Sequence, residues 1–145
     1  MSPNTNMIAK LAEQLKRHEG LRLKLYKCSA GKNTIGVGHN LDDNGISESI
    51  SEMLLIEDIA NAEKALNAAL GWTRQLDEAR RCVLLNMVFN IGIGRLMGFK
   101  KMIAAVQGGQ WSVAAAEMRA SKWAVQVGKR ADELAWQMEL GTWKS

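Results

Sequence analysis

The stretch Glu19-Gly-Leu-Arg-Leu-Lys-Leu-Tyr-Lys-Cys28-Ser-Ala-Gly31-Lys-Asn-Thr34-Ile-Gly-Val-Gly-His39 predicts a β-hairpin that carries several reactive side chains. Leucines at every second position alternate with polar residues, which is the pattern of a half-buried strand. The segment 29–31 supplies turn residues, and the glycine-rich segment 34–38 is expected to return as the second strand. Because a hairpin brings its two ends together, four side chains are predicted to border one cleft: Glu19, Cys28, Thr34 and His39.

Length and composition indicate a single globular domain. The chain has 145 residues, of which 47% are hydrophobic, enough to bury a sizeable core. No run approaches the roughly 20 apolar residues of a membrane-spanning helix. The amino terminus lacks the apolar region of a signal peptide. We therefore expect the protein to remain in the cytoplasm where it is made.

The cysteines and histidines do not form a recognisable structural site. Cys28 and Cys82 are the two cysteines, and a cytoplasmic product need not pair them. The predicted fold also separates them, so a disulfide is not expected. Neither the cysteines nor His18 and His39 show the close spacing of metal ligands. No metal and no cofactor are expected.

The net charge of +4 is unevenly distributed. Residues 1–40 carry a net charge of +5, residues 41–70 carry −6, and residues 71–145 carry +5. A basic protein of this kind could bind nucleic acid, or an anionic polymer such as the bacterial cell wall. Because no nucleic-acid-binding module is recognisable and the basic residues are interleaved with helix-core positions, the second class is favoured.

Helical periodicity dominates outside the hairpin. Apolar residues between 7 and 15 predict an amphipathic helix over about 5–18. The sequence Asp42-Asp43-Asn44-Gly45 is typical of a turn. Ser49 and Glu52 form a capping box that opens a long helix, with Ser47 as a competing cap.

Beyond Gly71-Trp72 the patterns predict helices. Asp77 or a neighbour caps a helix that is apolar nearly all round and is therefore expected to be buried. Gly92-Ile-Gly94 is expected to break it. The alternative, a phosphate-binding loop, lacks a preceding strand and a following Gly-Lys-Ser/Thr. Further helices are predicted over 99–106, 111–120 and 130–140, and Gly141 is placed to end the last one.

These elements predict an α+β fold in a single domain, 1–145. It comprises a small hairpin lobe at about 19–46 and a long linking helix at about 47–70. The larger helical lobe comprises about 71–145 together with the amino-terminal helix 5–18.

Several blocks of this sequence resemble those of the phage-type lysozymes of glycoside hydrolase family 24, the muramidases that phages use as endolysins. The matching blocks run in the family's order from about Leu15 to Trp143. They are Glu19-Gly-Leu-Arg-Leu, Tyr26-Lys, Thr34-Ile-Gly-Val-Gly-His, the segment 80–92, Gly98-Phe99, Ser121-Lys122-Trp123, Lys129-Arg130-Ala131 and Gly141-Thr142-Trp143. The chain departs from the family at Cys28, where the family usually has aspartate. The resemblance implies a lysozyme-like fold with an active-site cleft between the lobes.

Cleavage of a glycosidic bond needs an acid for the leaving oxygen and a second group that supplies or activates a nucleophile. Glu19 is the expected acid, with a pKa raised by partial desolvation. The resemblance implies that Arg130 pairs with Glu19 in a supporting role. The Thr34 hydroxyl is suited to holding the attacking water. The resemblance makes His39 a supporting structural histidine at the cleft edge.

Cys28 leaves three interpretations open. Nearby lysines could favour its thiolate, which could accept a proton from water or attack the sugar carbon. Alternatively, Cys28 only fills the site and Thr34 positions the water without it. The third interpretation is an inactive protein that binds glycan. Cys28 is counted with Glu19 and Thr34 as a catalytic candidate.

Candidate substrate-binding residues are Phe89, Asn40 and Met102. Phe89 is expected either to line the cleft floor beneath a sugar ring or to belong to the core. Asn40 and Met102 lie where the resemblance places glycan contacts. Trp123 is expected to pack in the helical core.

We therefore expect an endolysin muramidase that hydrolyses the β-1,4 bond between N-acetylmuramic acid and N-acetylglucosamine in bacterial peptidoglycan and so causes host cell lysis. It is expected to be a monomer that depends on a holin to leave the host cytoplasm and reach the cell wall. The alternatives are a catalytically silent peptidoglycan-binding or phage tail-associated module, and a lytic transglycosylase.

Overall fold

A computed structural model describes residues 5–144 of the chain. The chain divides into two compact units, Met1–Glu52 and Met53–Ser145, and each is described by itself. The predicted α+β class is confirmed, because the described residues form mostly helices together with one small antiparallel sheet.

The first unit contains the predicted hairpin. Helix α1 (Thr5–Glu19) precedes strands β1 (Arg22–Lys27), β2 (Asn33–Gly36) and β3 (His39–Asn40). The strands form an antiparallel sheet in the order β1-β2-β3. The third strand was not predicted. Positive φ angles at Gly36 (71°) and Gly38 (66°) allow the chain to reverse between β2 and β3, a conformation that side-chain-bearing residues rarely adopt.

The leucines in β1 and directly before it are exposed, so the prediction of a half-buried strand is wrong. Leu21 is 61% exposed, Leu23 79% and Leu25 59%. In the described part of the first unit, helix α2 (Leu41–Asn44) packs against β2 and β3, and no helix packs extensively against β1. Period-two alternation identifies a strand correctly, but it does not supply the second layer that would bury one face.

Two local predictions next to the sheet also need correction. The residues predicted as a turn form the single helical turn α2, which Asn40 caps by accepting a hydrogen bond from the Asp43 amide. Helix α3 (Glu48–Ala69) is capped by Ser47, whose Oγ accepts from the Ile50 amide at 3.2 Å, and not by Ser49. Ser49 lies one residue inside the helix, where a serine cannot cap the first turn.

The second unit is entirely helical over its described residues. Helix α3 begins in the first unit and continues into this one. A short 3₁₀ helix (Gly71–Gln75) is followed by five α-helices. These are α4 (Glu78–Met97), α5 (Lys100–Gln107), α6 (Trp111–Arg119), α7 (Lys122–Val127) and α8 (Lys129–Leu140).

The core of this unit lies where α8 packs against α4, α6 and α7, and where α5 packs against α6. The predicted burial of α4 is confirmed, because Val83, Leu84 and Met87 have no exposed surface. Gln137 is the largest buried polar side chain, and its Nε2 donates to the Ala79 carbonyl at 2.8 Å. That bond removes the cost of burying an amide without a partner.

Helix ends in this unit follow the predictions closely. Asp77 caps α4 by accepting from the Arg80 amide, and Gly141 ends α8 in the left-handed conformation at φ 69°. The predicted break is confirmed at Gly92, where φ is 82° and ψ is 159°, although the helix resumes and reaches Met97. Helix α7, which Ser121 caps, was not predicted.

Within residues 5–144, no single helix is long and apolar enough to cross a membrane. Only α4 and α5 taken together, bent by 105° at their junction, meet that criterion of length and composition.

Candidate active site

Cys28 and Thr34 lie together at the closed end of the hairpin. Tyr26 pairs with Thr34 across the two strands. The turn between them is closed by hydrogen bonds from the Cys28 amide to the Lys32 carbonyl (3.0 Å) and from the Gly31 amide to the Cys28 carbonyl (2.8 Å). Thr34 is only 2% exposed, and its Oγ1 donates to the Lys32 carbonyl at 2.8 Å. The hairpin therefore holds the thiol and the hydroxyl in a defined geometry.

The pKa of the Cys28 thiol is lowered by its hydrogen bonds. The largest effect comes from the Lys32 backbone amide, followed by the Ala30 amide, and the Thr34 side chain adds to them, while partial burial opposes the shift. Amide donors stabilise a thiolate because they point positive charge at the sulfur. The expected contribution of nearby lysine charges is not the cause. Lys32 instead forms an ion pair with Asp43 at 3.1 Å.

Glu19 ends α1 and lies against the backbone of Gly38. Gly20, with φ 76°, stops the helix, and its amide donates to the Lys16 carbonyl. A Cβ atom on Gly38 would lie 3.0 Å from Glu19 Oε2 and 3.1 Å from Cδ. The side chain of Glu19 is exposed, so the desolvation predicted for it would have to come from a bound substrate.

The residues next to this carboxylate have structural hydrogen bonds. His39 donates through Nε2 to the Gly45 carbonyl at 2.6 Å, which requires the tautomer protonated at Nε2. Both side-chain groups of Asn40 bond to Asp43, through Oδ1 to its amide and through Nδ2 to its Oδ2. The bond of His39 fixes the loop before Gly45, and its supporting role at the cleft edge stays a prediction. The contact of Asn40 with a glycan stays a prediction.

Asp42 is a residue of this region that sequence reasoning missed. Its Oδ2 accepts from the Asn33 amide at 2.8 Å, and its Oδ1 accepts from Asn33 Nδ2 at 3.1 Å. These two bonds are the main reason that the pKa of the Asp42 carboxyl is lowered. They join α2 to the first residue of β2. The sequence showed only a turn-forming residue here, because the partner lies nine positions away.

In the second unit, Arg130 is held by Asn86. The Nε and Nη2 atoms of Arg130 both donate to Asn86 Oδ1, at 3.0 and 2.8 Å. Asn86 was not among the predicted site residues, although it stands three positions before Phe89 on α4. The expected pairing of Arg130 with Glu19 stays a prediction. What the structure shows is that the guanidinium is already oriented by a neutral partner.

Phe89 shares a cavity of about 330 Å³ with Asn86 and Arg130. Phe89 is 46% exposed, so the alternative that placed it in the core is wrong, and its contact with a sugar stays a prediction.

Cys82 lines the same cavity. The pKa of its thiol is raised by burial and, to a smaller extent, by the negative charge of Glu78. Both cysteines are free thiols.

The remaining predicted side chains lie in the helical core of this unit. Trp123 is 4% exposed and its indole donates to Asn90 Oδ1 at 2.8 Å, which confirms its core position. Met102 is 1% exposed and contributes to the lining of a second depression. Its proposed sugar contact stays a prediction.

Among residues 5–144, no group of histidine, cysteine and acidic side chains could hold a metal ion.

Comparison with known proteins identifies a family model and several relatives that this chain resembles. The family model of phage lysozyme matches residues 16–137. The chain is 32% identical to "Probable T4-type lysozyme 2" of Dictyostelium discoideum, over 95% of this chain and 98% of that protein. It is 36% identical to "Endolysin" of Salmonella phage P22, over 59% and 62% of the two chains. It is also 29% identical to the pre-baseplate central spike protein Gp5 of Enterobacteria phage T4, over 99% of this chain but only 29% of that protein.

Proposed function

The chain belongs to the phage lysozyme family, and on that basis we propose that it is an endolysin muramidase. Its substrate is bacterial peptidoglycan, in which it hydrolyses the β-1,4 bond between N-acetylmuramic acid and N-acetylglucosamine. The observation that carries this proposal is the Cys28–Thr34 pair, whose thiol has a lowered pKa at the position where the resemblance expects a carboxylate. A thiolate there can take over the proton-accepting role of that carboxylate.

Glu19 is the proposed general acid. Its proton passes to the glycosidic oxygen as the bond from that oxygen to the anomeric carbon breaks. The sugar that leaves thereby departs as an alcohol. The close approach of Gly38 to Glu19 supports this role, because it restricts where the carboxyl group can lie.

Cys28 and Thr34 act on the water. The single proton of the Thr34 hydroxyl points either to the Lys32 carbonyl or to the Cys28 sulfur. When it points to the carbonyl, the hydroxyl lone pairs accept a hydrogen bond from water. The Cys28 thiolate then removes a proton from that water as its oxygen attacks the anomeric carbon. Direct attack by the sulfur is the alternative. It would form a carbon–sulfur bond to the anomeric carbon, and a water molecule would then break that bond and return the thiolate. The two inversions together would retain the anomeric configuration that the single water reaction inverts.

The other predicted residues support substrate binding in this proposal. Arg130, which Asn86 orients, has the proposed role of holding the Glu19 carboxylate. His39 bonds to the Gly45 carbonyl and so fixes the loop that follows Gly38. Phe89, Asn40 and Met102 are the proposed glycan contacts. The exposed ring of Phe89 supports its part in this set, because sugar rings stack on exposed aromatic faces.

The proposed route to the wall depends on a holin. The enzyme accumulates in the host cytoplasm as a monomer and reaches the periplasm after the inner membrane is permeabilised. Expression without a holin should leave host cells intact, and adding an agent that opens the inner membrane should lyse them. Lysis on expression alone, with the protein recovered from the periplasm, would contradict this route.

The decisive test is hydrolysis of purified peptidoglycan, followed by the mass of the products. Hydrolysis adds one water to each cleaved bond, whereas a lytic transglycosylase leaves an anhydro sugar. Glu19→Gln should abolish product formation. Glu13 is also an exposed glutamate of α1, and Glu13→Gln should leave product formation unchanged. Anhydro products, or full activity of Glu19→Gln, would refute the muramidase assignment.

A silent tail-associated module is the second candidate, and one observation favours it. Almost the whole chain aligns with part of a phage spike protein, and the usual aspartate is replaced by Cys28. A protein that binds peptidoglycan in a sedimentation assay but releases no fragments would support this candidate over the enzyme.

A further inference from the structure

Strand β1 is an edge of the sheet in the first unit, with a free outer side. The sheet of the described residues has the order β1-β2-β3, so β1 (Arg22–Lys27) pairs with β2 alone. In an antiparallel sheet, alternate residues of an edge strand direct their amides and carbonyls away from the neighbouring strand. With six residues, β1 has the length of an ordinary strand. It therefore offers an edge to which another strand can pair.

An apolar stripe runs along this free edge. Leu21, Leu23 and Leu25 recur at every second position, so alternation places them on one face of the sheet. Leu23 is 79% exposed, and the other two are more than half exposed. The side chains of a strand added beside β1 would cover part of the stripe. Removing that apolar surface from water would favour the association.

The remaining side chains of β1 are cationic or aromatic. The guanidinium carbon of Arg22 lies 4.5 Å from the centre of the Tyr26 ring, which agrees with their sharing the face opposite the leucines. Lys24 lies between them in the alternation, and Lys27 ends the strand. None of these three cations forms an ion pair with another of residues 5–144. Because β1 has no acidic residue, it favours a partner that supplies carboxylates.

Three kinds of occupant can be compared on these grounds. A second copy would place one β1 against another, and like charges on paired strands are destabilising. An anionic lipid surface would attract the cations, but it has no row of donors and acceptors at the spacing of a strand. An extended protein segment whose acidic residues alternate with apolar ones matches the backbone edge, the leucine stripe and the charge.

We propose that β1 binds such an acidic, alternating segment of a partner protein, which joins the sheet as a fourth strand. In the chain, β1 lies between Glu19 and Cys28. The bound segment would therefore lie alongside the hairpin that carries the proposed catalytic residues. This surface is separate from the reaction with glycan, and its test requires no cleavage.

The first test uses the synthetic peptide acetyl-Glu-Val-Glu-Val-Glu-Val-amide, titrated into the full-length protein and followed by NMR. The amide signals of Leu23, Lys24 and Leu25 should shift. Nuclear Overhauser effects should join backbone protons of the peptide to those of β1, and amides of β1 should exchange more slowly with solvent. A control peptide with proline in place of each valine keeps the charge but cannot pair as a strand, so it should not slow the exchange.

Two variants of β1 test the side-chain contributions. Lys24→Gln and Leu23→Thr should each weaken binding of the valine peptide about 2- to 5-fold, as for the loss of one cross-strand pair. Both side chains are exposed, and threonine is compatible with a strand, so the fold should persist. The matched controls are Lys64→Gln in α3 and Val125→Thr in α7, at residues that are also exposed. These should leave the affinity unchanged.

Four results would overturn the proposal. The first is the absence of shifts in β1 at millimolar peptide. The second is equal slowing of exchange by the proline peptide, which would show attraction by charge alone. The third is a response of β1 to phosphatidylglycerol vesicles but not to the peptide, which would assign the surface to lipid. The fourth is a dimer of the free protein in sedimentation with protected β1 amides, which would assign the edge to a second copy.

Discussion

Gly38 leaves the space in which the Glu19 carboxylate lies. A Cβ atom at position 38 would come within 3.0 Å of Glu19 Oε2, closer than carbon and oxygen atoms normally approach. The absence of a side chain at Gly38 thus makes room for the proposed acid, in addition to allowing the reversal of the chain between β2 and β3.

Gly38→Ala should lower activity much more than stability. Gly36→Ala is the matched control, because Gly36 also has a positive φ and a Cβ there would meet no atom within 4 Å. Both variants should lose about 1 kcal/mol from strain in the left-handed region. Only Gly38→Ala should also displace Glu19, at a cost of roughly tenfold or more in kcat. Equal kcat values for the two variants, with equal losses in denaturant stability, would show that this contact does not position the acid.

Cys28→Ala should reduce hydrolysis by about 100-fold or more if the thiolate is the base, since general-base catalysis contributes 10²–10⁴-fold. Cys28→Asp should recover part of that loss, because a carboxylate also accepts a proton. Cys82→Ala serves as the control for loss of a thiol elsewhere. Initial rates on purified peptidoglycan measure the effect. Unchanged rates for Cys28→Ala would show that the thiolate is not the base and that Thr34 positions the water without residue 28.

The two thiols should titrate on opposite sides of the ordinary cysteine pKa. Amide donors lower the pKa of Cys28, whereas burial raises that of Cys82. Alkylation by iodoacetamide follows the thiolate fraction, so Cys28 should react at lower pH than Cys82. Rates measured from pH 5 to 10 on Cys82→Ala and Cys28→Ala separate the two sites. The reverse order of midpoints would refute the thiol environment described for the hairpin.

Asp42 should make the stability of the first unit depend on pH at the acid end. The pKa of its carboxyl is lower in the folded chain than in the unfolded chain, so the ionised form stabilises the fold. That stabilisation is complete above the unfolded pKa and is lost as the pH falls through the folded one. Urea unfolding from pH 2 to 7 should show a shallower acid dependence for Asp42→Asn than for the wild type. Glu57→Gln, an exposed residue of α3, should not change the dependence.

Much of the local structure could be predicted from the sequence because short-range effects decide it. The extent of α1, the Asp77 cap, the break at Gly92 and the end at Gly141 depend on helical periodicity, capping side chains and glycine φ angles. Each of these is set within about one helical turn. The hairpin could be identified for the same reason, whereas its candidate residues Glu19, Cys28 and Thr34 were singled out through the family resemblance of the surrounding motifs.

The features that tune the site depend on contacts between distant segments. Asp42 bonds to Asn33, and Arg130 bonds to Asn86. Both interactions require partners that periodicity does not specify. The lysines near Cys28 suggested a charge effect, yet the backbone amides of the folded turn lower its pKa. Hydrogen bonds need defined distances and angles, and only the folded chain supplies them. The sequence by itself therefore determined which residues could act, whereas the tertiary structure decided which groups hold them in place.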